Sequence, residues 1–168
     1  MNGDMVVVWL NLLNLLAKNF NIKNMIYLGA DHAGFHLKEE LKKYLEELGY
    51  QYDDLGNEEL NPLDDYPDFA VRVAEKVVET NGQGILICAT GLGMCLAANK
   101  VKGARAITAW NDFTALQSRE HNDANILCLA AKAIDLETAK KIVRIWLETE
   151  FSGEERHIRR LQKINEIK

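Results

Sequence analysis

From Met25 onward, short uninterrupted apolar runs alternate with longer stretches in which apolar positions recur every three or four residues. A short continuous run suits a strand covered on both faces, and a 3.6-residue period suits a helix with one face on a core. Their alternation predicts an α/β fold, a parallel sheet of five strands flanked by helices. The predicted strands are 25–30, 50–54, 84–88, 104–109 and 126–130. Leu37, Leu41, Leu45 and Leu48 put one apolar stripe on the first helix, which Gly49 stops. Pro67 opens a second helix with the stripe Val71, Ala74, Val77 and Val78, ending near Gly82. A third follows Gly91 and Gly93, and others cover about 112–121, 135–150 and 153–167, the last of them basic.

A chain of 168 residues with 48% hydrophobic content has room for a single core. The pattern assigns residues 25–168 to one domain and leaves 1–24 as an apolar extension ahead of it. That extension carries Asp4 instead of a basic leader, and Asn11 and Asn14 interrupt an apolar run already short for a membrane span. No membrane partner is expected. The balance of 20 Lys+Arg against 25 Asp+Glu repels nucleic acid, which is not expected as a partner either. Cys88, Cys95 and Cys128 lie in apolar stretches without paired spacing, so neither a disulfide framework nor a zinc site is expected, and a reducing cytoplasm suits them.

In an open parallel sheet, ligands sit where strands end and helix N-termini converge. Asp31 and His32 follow the first strand, Cys88 to Gly93 follow the third, and His121 and Asn122 precede the fifth. In GILICATGLGMCLAANK a buried strand runs into a small-residue loop and then a helix, a turn whose backbone N–H groups can hold an anion. No Lys-Ser/Thr pair follows Gly93, which excludes a nucleotide loop of the GxxxxGK[ST] kind. Cys88 and Thr90 set a thiol and a hydroxyl beside this turn. A thiol near a helix N-terminus can serve as a base, and a free cysteine is as often a small buried hydrophobe; Cys95 and Cys128 fit the second description. Asp31-His32 can move protons or can be a cap and a surface group. His121-Asn122 offers an imidazole and an amide, in a stretch that turn chemistry also explains. Arg156 and Arg160, four apart, share a helix face that suits a phosphate or, balanced by Glu154 and Glu155, plain solvent.

Taken in order, YLGADHAGFHLK, DYPDFA, GILICATGLGMCLAANK, SREHNDANIL and SGEERHIRR resemble the type B ribose-5-phosphate isomerase family, which also includes galactose-6-phosphate isomerase subunits. The resemblance spans about residues 25–165. It implies a Rossmann-like three-layer α/β/α sandwich with a mostly parallel sheet, a homodimer or homotetramer with active sites shared between subunits, and no metal or other cofactor. Carried over by motif, Cys88 is similar to the base that moves a proton between C2 and C1. Thr90 and the amides of Ala89, Gly91, Leu92 and Gly93 resemble an anion hole. Asp31 matches the residue that moves the hydroxyl proton, His121 the one that opens the furanose ring, and Asn122 a substrate-binding amide. Tyr66 lines the pocket, and His32, Arg156 and Arg160 match phosphate contacts. Ala89 and Ala131 stand where glycine is usual, and Lys132 stands where an arginine phosphate ligand is common. The implied reaction interconverts ribose 5-phosphate and ribulose 5-phosphate. The rivals are a galactose-6-phosphate isomerase subunit that needs a different partner chain, and a sugar-phosphate sensor that binds without turnover.

Overall fold

The computed structural model describes residues 25–167; the extension 1–24 lies outside them. The elements in chain order are β1 (Ile26–Ala30), α1 (Phe35–Glu47), β2 (Tyr52–Asp54), α2 (Tyr66–Thr80), β3 (Gln83–Cys88), α3 (Leu92–Ala98), β4 (Ala106–Thr108), α4 (Asp112–Glu120), β5 (Ile126–Ala130), α5 (Leu136–Glu148) and α6 (Glu155–Asn165). The strands lie in the order β2-β1-β3-β5-β4, and every pairing is parallel, where the sequence led us to expect a mostly parallel sheet.

Alternation along β1, β3 and β5 divides the core in two. Ile26, Leu28, Ile85, Ile87, Leu127 and Leu129 face one side, where Leu41 and Leu45 of α1 and Ile142, Val143 and Trp146 of α5 cover them. Tyr27, Leu86, Cys88, Ile126 and Cys128 face the other, against α2 and α3. Helices on both faces make the three-layer sandwich.

Two strands are shorter than the pattern suggests, because both are edges. In the segment leading into β4, the Arg105 N–H donates to the side chain of Asn125 at 2.7 Å, which starts the ladder only at Ala106. β2 begins at Tyr52 for want of an outer neighbour. On α2 the buried stripe is Phe69, Ala70, Val73, Ala74 and Val77, one step round from the expected one, with Val78 38% exposed.

The largest departure from a simple apolar pattern is Lys38, fully buried on the core face of α1. Its ammonium donates to Asp54 Oδ2 at 2.5 Å and to the Asn57 carbonyl at 2.8 Å, and lies 5.2 Å from the Phe35 ring centre. Lys42 donates to the same Asp54 oxygen at 2.9 Å. Burial raises the Asp54 carboxyl's pKa, but the bonds from Lys38, Lys42 and the Gly56 amide outweigh it and hold the carboxyl below its ordinary range. A folded-state value that is depressed gives stability that is complete above the unfolded value and is lost as pH falls through the folded one. Asp54→Asn is therefore expected to lose on the order of 2–3 kcal/mol at neutral pH, and the gap to wild type should close on acidification. Denaturant unfolding across pH checks this, and a gap that stays constant into acid would contradict it.

Candidate active site

From β1 the chain crosses outward to β2 and then back past β1 to β3, so strand order reverses between β1 and β3, and a crevice is expected at their carboxyl ends. Asp31 follows β1 and Cys88 ends β3 at that end of the sheet. Ala30 pairs with Ile87, and the Asp31 N–H donates to the Ile87 carbonyl at 3.3 Å. Both side chains are buried. Asp31 Oδ1 accepts the N–H groups of Ala33 and Gly34, each at 3.0 Å, which ties it to the start of α1 and leaves Oδ2 without a partner among the described residues. Gly34 is required where it is, since a Cβ there would stand 2.3 Å from the Ile87 carbonyl oxygen.

Cys88 Sγ accepts the Gly91 N–H at 3.1 Å, which fixes the sulfur against the turn that follows β3. Gly91 holds φ 73°, and a Cβ on it would meet Thr108 at 2.9 Å and the Leu129 carbonyl at 3.2 Å. Neither Ala89 nor Ala131 adopts a left-handed backbone, so glycine is not needed at either position. Thr90 Oγ1 accepts the Leu92 N–H at 3.4 Å. Tyr66, at the start of α2, lies over Gly93: a Cβ there would come within 2.7 Å of the ring. The amides of Ala131 and Lys132 donate to the carbonyls of Cys88 and Ala89 at 2.9 and 3.0 Å, which brings the exposed Lys132 to this end.

His32 is at the same end, held by a residue that the motifs did not single out. Asp64 Oδ1 accepts the His32 backbone N–H at 3.0 Å and lies 2.7 Å from the ring Nδ1.

The other predicted residues lie elsewhere. In a parallel sheet a helix between two strands runs back to the edge where strands begin, and α4 does so. His121 caps its C-terminus, and the Gly84 N–H at the start of β3 donates to Asn125, three residues beyond Asn122. The ring of His121 stacks on that of His157, centroids 4.1 Å apart and 15° from parallel. His157 is 3% exposed and its Nε2 makes no hydrogen bond among the described residues; burial, followed by the neighbouring His121 and Arg156, lowers its pKa, with Glu154 opposing. Arg156 pairs with Glu154 at 2.8 Å, and Arg160 is exposed with no ion pair among the described residues. The predicted residues thus fall into two groups at opposite ends of the strands: Asp31, His32, Tyr66, Cys88–Gly93 and Lys132 at one, His121, Asn122, Arg156 and Arg160 at the other. A five-residue strand, about 16 Å long, separates them.

Of the other thiols, Cys95 is lowered to about 6, chiefly by a hydrogen bond from Cys128 and further by Thr108 and Asn99, while burial opposes. It points to the Ala106 carbonyl, 3.2 Å away, between α3 and β4. Burial pushes the Cys128 thiol well up. Leu92, Leu96, Trp110 and Phe113 are exposed on α3 and before and within α4, with Phe113 at 69%. Among the described residues no group of three or more His, Cys, Asp or Glu could hold a metal ion, and no helix is long and apolar enough to cross a membrane.

A family model described as Ribose/Galactose Isomerase matches residues 26–164. Ribose-5-phosphate isomerase B of Escherichia coli K12 is 42% identical over 144 residues, which cover 84% of this chain and 95% of the relative. A D-erythrulose-4-phosphate isomerase of Pectobacterium atrosepticum is 40% identical over 134 residues, 76% of this chain and 85% of its own. The crystal structure of ribose-5-phosphate isomerase B from Mycoplasma genitalium with bound ribulose-5-phosphate superposes with a TM-score of 0.81 at 41% identity, covering 84% of this chain and 93% of that one.

Proposed function

The chain belongs to the ribose/galactose isomerase family, and from that premise we propose that it interconverts D-ribose 5-phosphate and D-ribulose 5-phosphate by proton transfer through an enediolate. The observation that carries this reading is that Asp31 and Cys88, both buried, lie on the adjacent strand ends of β1 and β3 at the topological switch point, with Cys88 Sγ held by the turn that follows it.

In this mechanism the Cys88 thiolate removes the proton from C2 of the open-chain aldose. The electron pair left behind forms the C1–C2 double bond of the enediolate and pushes charge onto O1. Thr90 and those amides of the Ala89–Gly93 turn that are not already given to Cys88 Sγ and Thr90 Oγ1 are donors in place for that charge, the kind of preorganisation that lowers such a barrier most. Asp31, through its unpartnered Oδ2, carries the hydroxyl proton from O2 to O1. Cys88 then returns its proton to C1, giving the ketose and regenerating the thiolate. One base suffices, and no step asks for a metal or an organic cofactor.

Ring opening and phosphate capture fall to the other half-site: His121 protonates the ring oxygen, Asn122 holds a hydroxyl, and Arg156 and Arg160 join His32 and Lys132 at the phosphate. Because those halves sit at opposite edges of one chain, a complete site needs a second copy, and we read the enzyme as a homodimer with two shared sites, or a tetramer built from such dimers. The exposed apolar side chains Leu92 and Leu96, one turn apart on α3, and Trp110 and Phe113 at the start of α4 support this, since large apolar side chains left facing solvent mark association surfaces. The substrate places the reaction in the pentose phosphate pathway, and an unpaired catalytic thiol suits the reducing cytoplasm.

The test is a coupled assay of the purified chain, in chelator, with ribose 5-phosphate, galactose 6-phosphate and D-erythrulose 4-phosphate in parallel. Turnover should be highest with ribose 5-phosphate. A preference for either other ester would move the substrate assignment within the family, and binding without turnover of any of them would make the chain a sensor.

A further inference from the structure

Asp64 lies on the loop between β2 and α2, with its side chain 6% exposed. Three donors converge on it: the His32 backbone N–H and ring Nδ1 on Oδ1, at 3.0 and 2.7 Å, and the Asn57 amide on Oδ2 at 2.9 Å. Asn57 is itself fixed, because its carbonyl accepts the buried Lys38 ammonium at 2.8 Å. The loop carboxylate is thus anchored to the core while its other oxygen grips the imidazole.

A carboxylate is an acceptor only, so its contact with Nδ1 requires a proton on Nδ1. In the singly protonated ring this leaves Nε2 bare. The Nε2 atom has no hydrogen-bond partner among the described residues, and the ring is 44% exposed. A bare Nε2 is a lone pair, which repels a phosphate oxygen. It becomes a donor only when the ring carries both protons.

We propose that Asp64 is a positioning residue for phosphate recognition: it locks the Nδ1–H tautomer of His32, so that His32 binds the substrate phosphate through Nε2–H only as an imidazolium. The inference rests on the reading of His32 as a phosphate contact. The charged groups on the same copy that bear on the ring are Asp64, next in sequence Asp31, whose Oδ1 is already taken by the Ala33 and Gly34 amides, and Lys132, which the proposed site sets at the same phosphate and which is common to wild type and variants. His36 stands one turn further along α1, and Arg156 and Arg160 approach only from a second copy.

The ring would then contribute to affinity at low pH and oppose it at high pH. In wild type, KM for ribose 5-phosphate should rise roughly ten- to a hundredfold as the ring passes from imidazolium to neutral, the value of one charge-assisted bond. In Asp64→Ala the neutral ring is free to carry its proton on Nε2 and still donate, so the rise should shrink to about threefold or less on the same scale. The ester's own ionisation is common to both enzymes and cancels in their ratio.

KM is followed against pH for wild type, Asp64→Ala and Asp64→Glu, with kcat recorded separately. The steep rise should flatten in the alanine variant and return with glutamate. An alanine profile parallel to wild type, displaced by one factor at every pH, would reduce Asp64 to a loop anchor and overturn the proposal. Nitrogen-15 NMR of the wild-type ring reads the tautomer without any substitution: Nδ1–H in the neutral form supports the lock, and Nε2–H overturns it. His32→Ala separates the two layers, since an unchanged KM in that variant would remove His32 from the phosphate altogether and the inference with it.

Discussion

Replacing Cys88 by serine is expected to reduce kcat for ribose 5-phosphate by at least about 10²–10⁴-fold, the range that a positioned general base supplies, while substrate binding changes by no more than a few-fold. Serine keeps the shape of the side chain and can still accept the Gly91 N–H that the sulfur accepts at 3.1 Å. It loses acidity, because an alcohol at the same spot holds its proton far too tightly to act as a base near neutral pH. The informative control is Cys95, whose thiol is lowered to about 6 and so ionises readily. Acidity alone would nominate it. Geometry excludes it: Cys95 faces the Ala106 carbonyl between α3 and β4, and not the strand ends that carry Asp31 and Cys88. Cys95→Ser should therefore stay active. Cys128→Ser buries a hydroxyl in the core, so any deficit it shows should be in stability, with kcat kept in the folded fraction. Equal loss of kcat in all three folded variants would remove Cys88 from its role.

The parts of this fold that could be read from sequence are those where a local pattern and the tertiary environment agree. β1, β3 and β5 are continuous apolar runs because both of their faces are covered, and each appears within a residue of where the runs place it. β2 and β4, at the edges, carry no such double constraint: β2 has no outer neighbour, and the start of β4 is set by a single side-chain contact, Asn125 to the Arg105 N–H. Lys38 defeats any hydrophobicity pattern. It occupies a core position on α1, and only Asp54 at the end of β2 and Asn57 in the loop that follows, folded over it, make that tolerable.

The candidate site divides along similar lines. Asp31 follows one strand and Cys88 ends another, and strand ends in a parallel sheet lie together, so their arrival at one end of the sheet was legible. His121 and Asn122 precede a strand, and the same rule sends them to the opposite edge, a consequence that chain order contains and that residue chemistry hides. His157 had a usable signal: Arg156 and Arg160 share an outward face, which turns His157 and Leu161 about 100° toward the body of the protein. Asp64 had none. It sits among other acidic and turn-forming residues, and its partner His32 is distant in sequence, so only the folded loop reveals the pair.

The separation of the two half-sites leads to the second large effect, which is recovery and not loss. Cys88→Ser and His121→Asn should each be nearly inactive alone, yet mixed dimers of the two should work. In a mixed dimer one shared site receives both substitutions and the other receives neither, because Cys88 comes from one copy and His121 from the other. Random pairing makes half of the dimers mixed, each with one intact site of two, so co-refolded protein should regain about a quarter of wild-type activity. The control pairs two substitutions from the same edge. Cys88→Ser with Asp31→Asn puts one lesion in each shared site, and no mixture of those should recover. Mass spectrometry under native conditions verifies that mixed dimers form in both cases. Recovery in the first pair and not the second would locate the boundary between the half-sites as the sheet topology draws it. Mixed dimers that form and stay inactive in the first pair would mean that His121 serves the same copy's Cys88, against a structure that sets the two at opposite edges of the sheet.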